Sequence, residues 1–185
     1  MAETHSTMKP LGFELPPFTL PDVGSNRTVS SDGLVREKPV LVMFICNHCP
    51  YVMHILPELG RLDRDYSARG LQILAINSND VTSYPDDHPT HMRSLAAREG
   101  WSFPYLYDES QSVARVFDAA CTPDFFLFDG THRLVYRGQL DDSRPRNRAP
   151  VNGKDLRQAI DAVLAGQVVS SVQRPSVGCN IKWAV

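Results

Sequence analysis

Apolar and polar positions along the chain follow two rhythms, one of strands and one of helices. Residues 39–45, PVLVMFI, are an unbroken apolar run rich in β-branched side chains and bounded by a turn, the pattern of a strand covered on both faces. Beyond it Val52, Ile55, Leu56, Leu59, Leu62 and Tyr66 recur at three and four, one stripe of a helix over 50–69, with Gly70 where a C-terminal cap belongs. Pro50 falls in the first turn, where a missing N–H costs nothing, whereas Pro57 is interior and predicts a kink. LQILAI, at 71–76, predicts the next buried strand; after the polar loop NSNDVTSYPDDH comes a helix from Pro89 to Glu99, closed by Gly100. FPYLYD predicts a third strand, and Asp108 can cap a short helix through Phe117. DFFLFDG and HRLVYR read as two strands joined at Asp129–Gly130, a hairpin signal. A last helix over 153–165 ends at Gly166. Upstream, residues 11–37 hold only short apolar pieces, with turn chemistry at Asp22–Gly24 and at Asp32–Gly33, and predict an N-terminal hairpin.

This order of elements demands right-handed crossovers and a parallel core in its first half, while the late hairpin adds antiparallel edge strands. The expected architecture is α/β: a central mixed sheet flanked by helices, with an N-terminal hairpin and a C-terminal tail. With 185 residues, 42% of them hydrophobic, the chain can bury one sizeable core. The organisation that follows is a flexible N-terminus over 1–10, one domain over 11–165 and a tail over 166–185.

Charge removes several function classes. The 19 Lys and Arg nearly balance the 21 Asp and Glu, with no long run of one sign, which argues against a dedicated nucleic-acid or membrane-surface binder. Arg144, Arg146 and Arg148 form the densest basic patch and read as a solvated loop. The start, MAETHSTMKPLGFELPPF, lacks a charged n-region followed by an apolar stretch, and nothing approaches the ~18 apolar residues of a membrane span. The expectation is a soluble, cytoplasmic protein with no membrane partner. In that compartment thiols stay reduced, so Cys46, Cys49, Cys121 and Cys179 read as redox-active, metal-binding or simply buried.

Position separates the two cysteines of FICNHCPYV, at 44–52. A thiol at a helix N-terminus faces unpaired N–H groups and the positive end of the helix dipole, and both favour thiolate. Cys49 directly precedes Pro50 and the helix, whereas Cys46 lies in or just after the strand. Helix physics alone names Cys49 the nucleophile.

The strand, the cysteine, the proline, the kinked helix and the later CTPDFFLFDG together resemble the thioredoxin-like superfamily. Laid over that family's strand, Trp-Cys-x-x-Cys and kinked helix, PVLVMFICNHCPYV matches at Val40, Leu41, Val42 and Phe44, Cys49 falls on the first cysteine, and Pro57 stands eight residues beyond. The family's second cysteine then falls on Val52 and its tryptophan on His48, so the Cys46–Cys49 pair is shifted toward the strand. The opposite register, with Cys46 attacking, leaves Pro50 unexplained. Thr122–Pro123 resembles the family's cis-proline segment, which implies that Pro123 is cis and that Cys121 lies near Cys49; Asn47 and Thr122, whose positions flank the proposed thiolate, are the candidate supporting polar groups, with His48 and Pro50. The similarity is to the redoxin branch that includes alkyl hydroperoxide reductase and thiol-specific antioxidant proteins, and it spans residues 11–165.

The resemblance implies a thiol–disulfide oxidoreductase in which Cys49 attacks and a second cysteine resolves, Cys46 first, then Cys121 or Cys179. No cofactor is needed. Its partners would be a thioredoxin-like or other thiol reductant and a disulfide or hydroperoxide substrate, and a homodimer is left open. A peroxiredoxin-like thiol peroxidase is one alternative, although the Pro and Thr/Ser of the peroxiredoxin run are replaced by Val42 and Cys46; Arg144 is the one arginine considered for a peroxide site. Cys46, His48 and Cys49, with Cys121 or His54, are the alternative set for zinc or copper. Asp86, Asp87 and His88 read as turn and helix caps.

Overall fold

A computed structural model describes residues 3–185. At its centre is a five-stranded mixed sheet in the order β6-β5-β4-β8-β9, formed by β4 (Val40–Phe44), β5 (Gln72–Asn77), β6 (Tyr105–Tyr107), β8 (Asp124–Phe128) and β9 (Leu134–Gly138). β4 pairs parallel with β5 and antiparallel with β8, and β5 pairs parallel with β6. A short hairpin, β2 (Thr19–Pro21) with β3 (Thr28–Ser30), precedes them. The helices are α1 (Pro50–Tyr66), α2 (Pro89–Glu99), α3 (Ser112–Phe117) and α4 (Lys154–Leu164).

Every residue of β4 is buried, and successive side chains point to opposite faces. Leu41 and Met43 join α1, α2 and α4 on one face; Val40, Val42 and Phe44 join α3 on the other. The apolar stripe of α1 lies wholly in the first of these cores. On its far side Glu58, 1% exposed, reaches Arg61 and Arg157, both at 2.5 Å, and so ties α1 to α4. Asp108 accepts from the N–H groups of Val113 and Ala114 and caps the start of α3.

Three features differ from the sequence expectations. β8 is not an edge strand: the hairpin is inserted beside β4, so that β8 is paired on both sides and only β9 is at the edge. Within the N-terminal stretch expected to be flexible, residues 1 and 2 lie outside the described residues, but β1 (Glu3–His5) is a strand and Lys9 ion-pairs with Asp118 at 2.6 Å. The tail also returns to the body. Its β10 (Val177–Asn180) lies between β1 and β7 (Cys121–Thr122), antiparallel to both.

Candidate active site

Cys49 is the residue before α1, in extended conformation with no side-chain cap bond of its own, and Pro50 occupies the first turn. Its sulfur is fully buried. In the thiol form it donates to the Thr122 carbonyl at 3.3 Å. Hydrogen bonds from the Cys179 and Cys46 thiols hold it well below the usual thiol range, the N–H groups of Val52 and Cys179 add to them, and burial opposes. The donors pay the reverse effect: the bond to Cys49, then burial, pushes both Cys179 and Cys46 up. The arrangement therefore favours a thiolate at Cys49 over one at Cys46 or Cys179.

Cys46 also meets Thr122 Oγ1 at 3.3 Å. Next to it the 47–49 turn is pinned to the loop after β5. Asp87, with no exposed surface, accepts from the Asn47 N–H and from Asn79 Nδ2, each at 2.7 Å, and its Oδ2 lies 2.8 Å from His48 Nδ1. Burial pushes this carboxyl up, but His48, Asn79 and the Asn47 N–H outweigh it and leave it below the usual carboxylate range. Asp87 in turn raises His48. The imidazole stacks on Tyr84 with ring centroids 5.7 Å apart, and the Asn47 side chain accepts from Tyr105 and donates to the Asp86 carbonyl.

The Thr122–Pro123 peptide is cis, and it carries β7 past Cys49. Opposite it, Cys179 pairs with Thr122 and Asn180 with Cys121. Lys182 fastens the tail beyond: its N–H donates to Asn79 Oδ1, and its carbonyl accepts from Gln111 and from the Asp80 N–H. Cys121 is buried, and burial first, then Asp124 and Cys49, pushes its thiol far up. Burial likewise pushes Asp124 up to about 7, against partial relief from Ser176, Ser6 and the Phe125 N–H. Because this folded-state value lies above that of an unfolded aspartate, about 4, its stabilising contribution is complete below about pH 4 and is lost as pH rises to about 7. Asp124→Asn is expected to remove that decline, worth on the order of a few kcal/mol, and Tm measured across pH 4 to 8 checks it: a wild-type curve as flat as the variant's contradicts it.

The structure thus brings Cys46, Cys49, Cys179, Thr122 and Pro123 together, with Cys121 behind them and Asn47, His48 and Pro50 at the turn. The Arg144 guanidinium is engaged locally, donating to the Asp141 and Ser143 carbonyls and to Gln139, rather than hydrogen-bonding the thiols. Of the set considered for metal, Cys46 and His48 cluster with Asp87 instead of Cys121 or His54 among the described residues. His54 lines a cavity of about 20 Å³ with Tyr51, Pro123 and Arg144. His88 caps α2 as expected, accepting from the Thr90 N–H, but its neighbour Asp87 is no cap. Its place beside His48 and the Asn47 N–H corrects the cap role expected of it; the one signal in the sequence is an aspartate in a loop that follows a buried strand.

This sheet, with a cysteine capping the first helix after the central strand and a cis-proline beside it, is the thioredoxin-like fold; the class it defines is the thiol-dependent oxidoreductases of the redoxin branch. The chain belongs to the AhpC/TSA family, whose profile matches residues 11–137. A crystal structure of an uncharacterized conserved protein from Geobacillus kaustophilus is 50% identical, with a TM-score of 0.97 over 100% of this chain and 97% of that one. A hypothetical protein from Sinorhizobium meliloti 1021 is 46% identical, with a TM-score of 0.95 over 98% and 99%. The thiol-disulfide oxidoreductase YkuV of Bacillus subtilis is 24% identical over 120 residues, 65% of this chain and 79% of its own. No helix among the described residues is long and apolar enough to cross a membrane.

Proposed function

We propose that the protein is a thiol–disulfide oxidoreductase in which Cys49 is the attacking thiolate and Cys179 the first-choice resolving thiol, ahead of Cys46 and Cys121. The observation that carries the reading is the capping cysteine encircled by two thiol donors. Cys49 attacks a substrate disulfide, one substrate sulfur leaves as a thiolate, and a mixed disulfide remains. Cys179 then attacks Cys49 Sγ, loses its proton to solvent, and expels the second substrate sulfur, which takes up a proton. Local charge favours Cys179 over Cys46 for this step. The bond to Cys49 that pushes both thiols up most is lost in the mixed disulfide, and burial opposes ionisation of both; of the nearby charges, Lys182 lowers Cys179 whereas the Asp87 carboxylate raises Cys46.

A thioredoxin-like or other small thiol reductant of the cytoplasm would reopen the internal disulfide. Full burial of Cys49 favours a second reading, because a hydroperoxide is small enough to reach a covered sulfur; the chain would then have antioxidant activity. Its chemistry is attack on a peroxide oxygen, with the O–O bond breaking and the other oxygen leaving as an alcohol or water after taking up a proton; the sulfenic acid at Cys49 then condenses with the same resolving thiol to give the disulfide and water.

Peptide mass mapping separates these outcomes. Reduced protein is given one equivalent of a disulfide or of hydrogen peroxide, and free thiols are then blocked. The expected product with the disulfide is a Cys49–Cys179 bond; a Cys46–Cys49 bond transfers the resolving role to Cys46. A bond formed with peroxide within seconds supports the second reading, and four cysteines left reduced by both oxidants overturn the proposal.

A further inference from the structure

The exchange chemistry at Cys49 and Cys179 uses Cys46 only as a hydrogen-bond donor and gives His48 and Asp87 no step. The geometry of these three residues is that of an incomplete coordination shell. Cys46 Sγ, a ring nitrogen of His48 and a carboxylate oxygen of Asp87 all lie within 4.8 Å of one another. Cys46 and His48 come from the connection between β4 and α1 and Asp87 from the loop ahead of α2, so two segments distant in the chain converge on one point.

The shell around these donors is already built. Asp87 is held in place by the Asn47 N–H and Asn79 Nδ2. His48 lies flat against Tyr84, the planes 7° apart, and its Nε2 is buried with no hydrogen-bond partner among the described residues. Outer contacts of this kind are what fix the orientation of ligating side chains in metal sites.

We propose that the reduced protein binds one zinc ion between Cys46 Sγ, a ring nitrogen of His48 and a carboxylate oxygen of Asp87. A mixed sulfur, nitrogen and oxygen set suits zinc, whereas copper(I) favours sulfur and magnesium or calcium favours oxygen. Ligand bonds of about 2.0–2.3 Å in a tetrahedron put donor atoms roughly 3.3–3.8 Å apart. His48 Nδ1 and Asp87 Oδ2, 2.8 Å apart, would open slightly to admit the ion, while donors as far apart as 4.8 Å would close in by about 1 Å. Binding exchanges the Cys46 thiol proton for the metal: the S–H bond breaks, the S–Zn bond forms, and the proton leaves to solvent. The two negative ligands then balance the ion's charge. A solvent oxygen takes the fourth position, so that Cys46 is the one sulfur ligand.

The site is defined whichever thiol resolves, and its test is separate from turnover, which is measured on chelator-treated protein. Reduced full-length protein is titrated with cobalt(II) under argon and then with zinc(II). The expected result is one equivalent of cobalt with a sulfur-to-metal charge-transfer band in the near ultraviolet and visible bands of tetrahedral intensity, both erased by zinc. Cys46→Ser should abolish the charge-transfer band, and His48→Gln and Asp87→Asn should each weaken binding by about tenfold or more. Because Asp87 is buried and its variant could fail to fold, alkylation of the wild-type protein supplies a second measurement: one equivalent of zinc should protect Cys46. Absence of the sulfur charge-transfer band, or affinity unchanged in both His48→Gln and Asp87→Asn, overturns the proposal.

Discussion

Cys49→Ser is expected to abolish disulfide exchange, with a loss of about 1,000-fold or more in kcat/KM, while the fold is kept. A serine hydroxyl is nearly the size of the thiol and fits the same buried position, where Cys49 has no exposed surface. What it lacks is ionisation: hydrogen bonds from Cys179, Cys46 and the backbone that hold a thiolate below its usual range cannot make an alkoxide at neutral pH. The substitution also has a readout besides activity. Cys179 and Cys46 are pushed up first by their bonds to Cys49, so in the variant both should be alkylated at lower pH than in the wild type. Near-native turnover in Cys49→Ser, with loss in Cys46→Ser, would establish the opposite register, in which Cys46 attacks.

Gly178→Ala should be the most damaging small substitution in the tail. A Cβ at this position would stand 2.0 Å from the Thr122 carbonyl oxygen and 2.6 Å from its carbon. Both are backbone atoms, and rotation of a side chain cannot relieve the clash. β10 has no free side to move toward, since β1 pairs along its other edge. Overpacking costs about 1–3 kcal/mol, and for a chain of this size that lowers Tm by roughly 2–4 °C per kcal/mol. The larger effect is chemical: with β10 pushed off β7, Cys179 no longer faces Cys49. Mass mapping after oxidation should show the Cys49–Cys179 disulfide replaced by a Cys46–Cys49 bond or by none. The same Tm and the same disulfide yield as wild type would show that the tail tolerates displacement and that its pairing does not position Cys179.

Much of this site is local in the sequence, and that part was legible. The helix stripe, Pro50 and the position of Cys49 all fall within one stretch, and helix-terminus physics acts over a single turn. The late hairpin was visible too, but not its insertion beside β4. The signal was there: DFFLF is buried at every position, like β4, and an edge strand does not need two apolar faces. Asp87 and Cys179 were harder for a different reason. Each acts through a partner distant in the chain, Asp87 through Asn47 and His48 and Cys179 through Thr122, and neither segment carries a periodicity that names its neighbour. In GCNIKW the two large apolar side chains give no guide to which is the anchor: Ile181 is 1% exposed and Trp183 is 38% exposed.

The three-stranded sheet β1-β10-β7 has a consequence for biosynthesis. Residues 3–5 wait for residues 177–179, and these in turn deliver Cys179 to the cysteine at the head of α1. Closure across so much chain is slow compared with the formation of local helices. On the ribosome, a nascent chain can fold its central sheet and present Cys49 while the second thiol is still untranslated. During that interval a mixed disulfide formed at Cys49 would have no Cys179 to resolve it, so on the proposed mechanism turnover begins only once residues 177–179 have paired with β1 and β7.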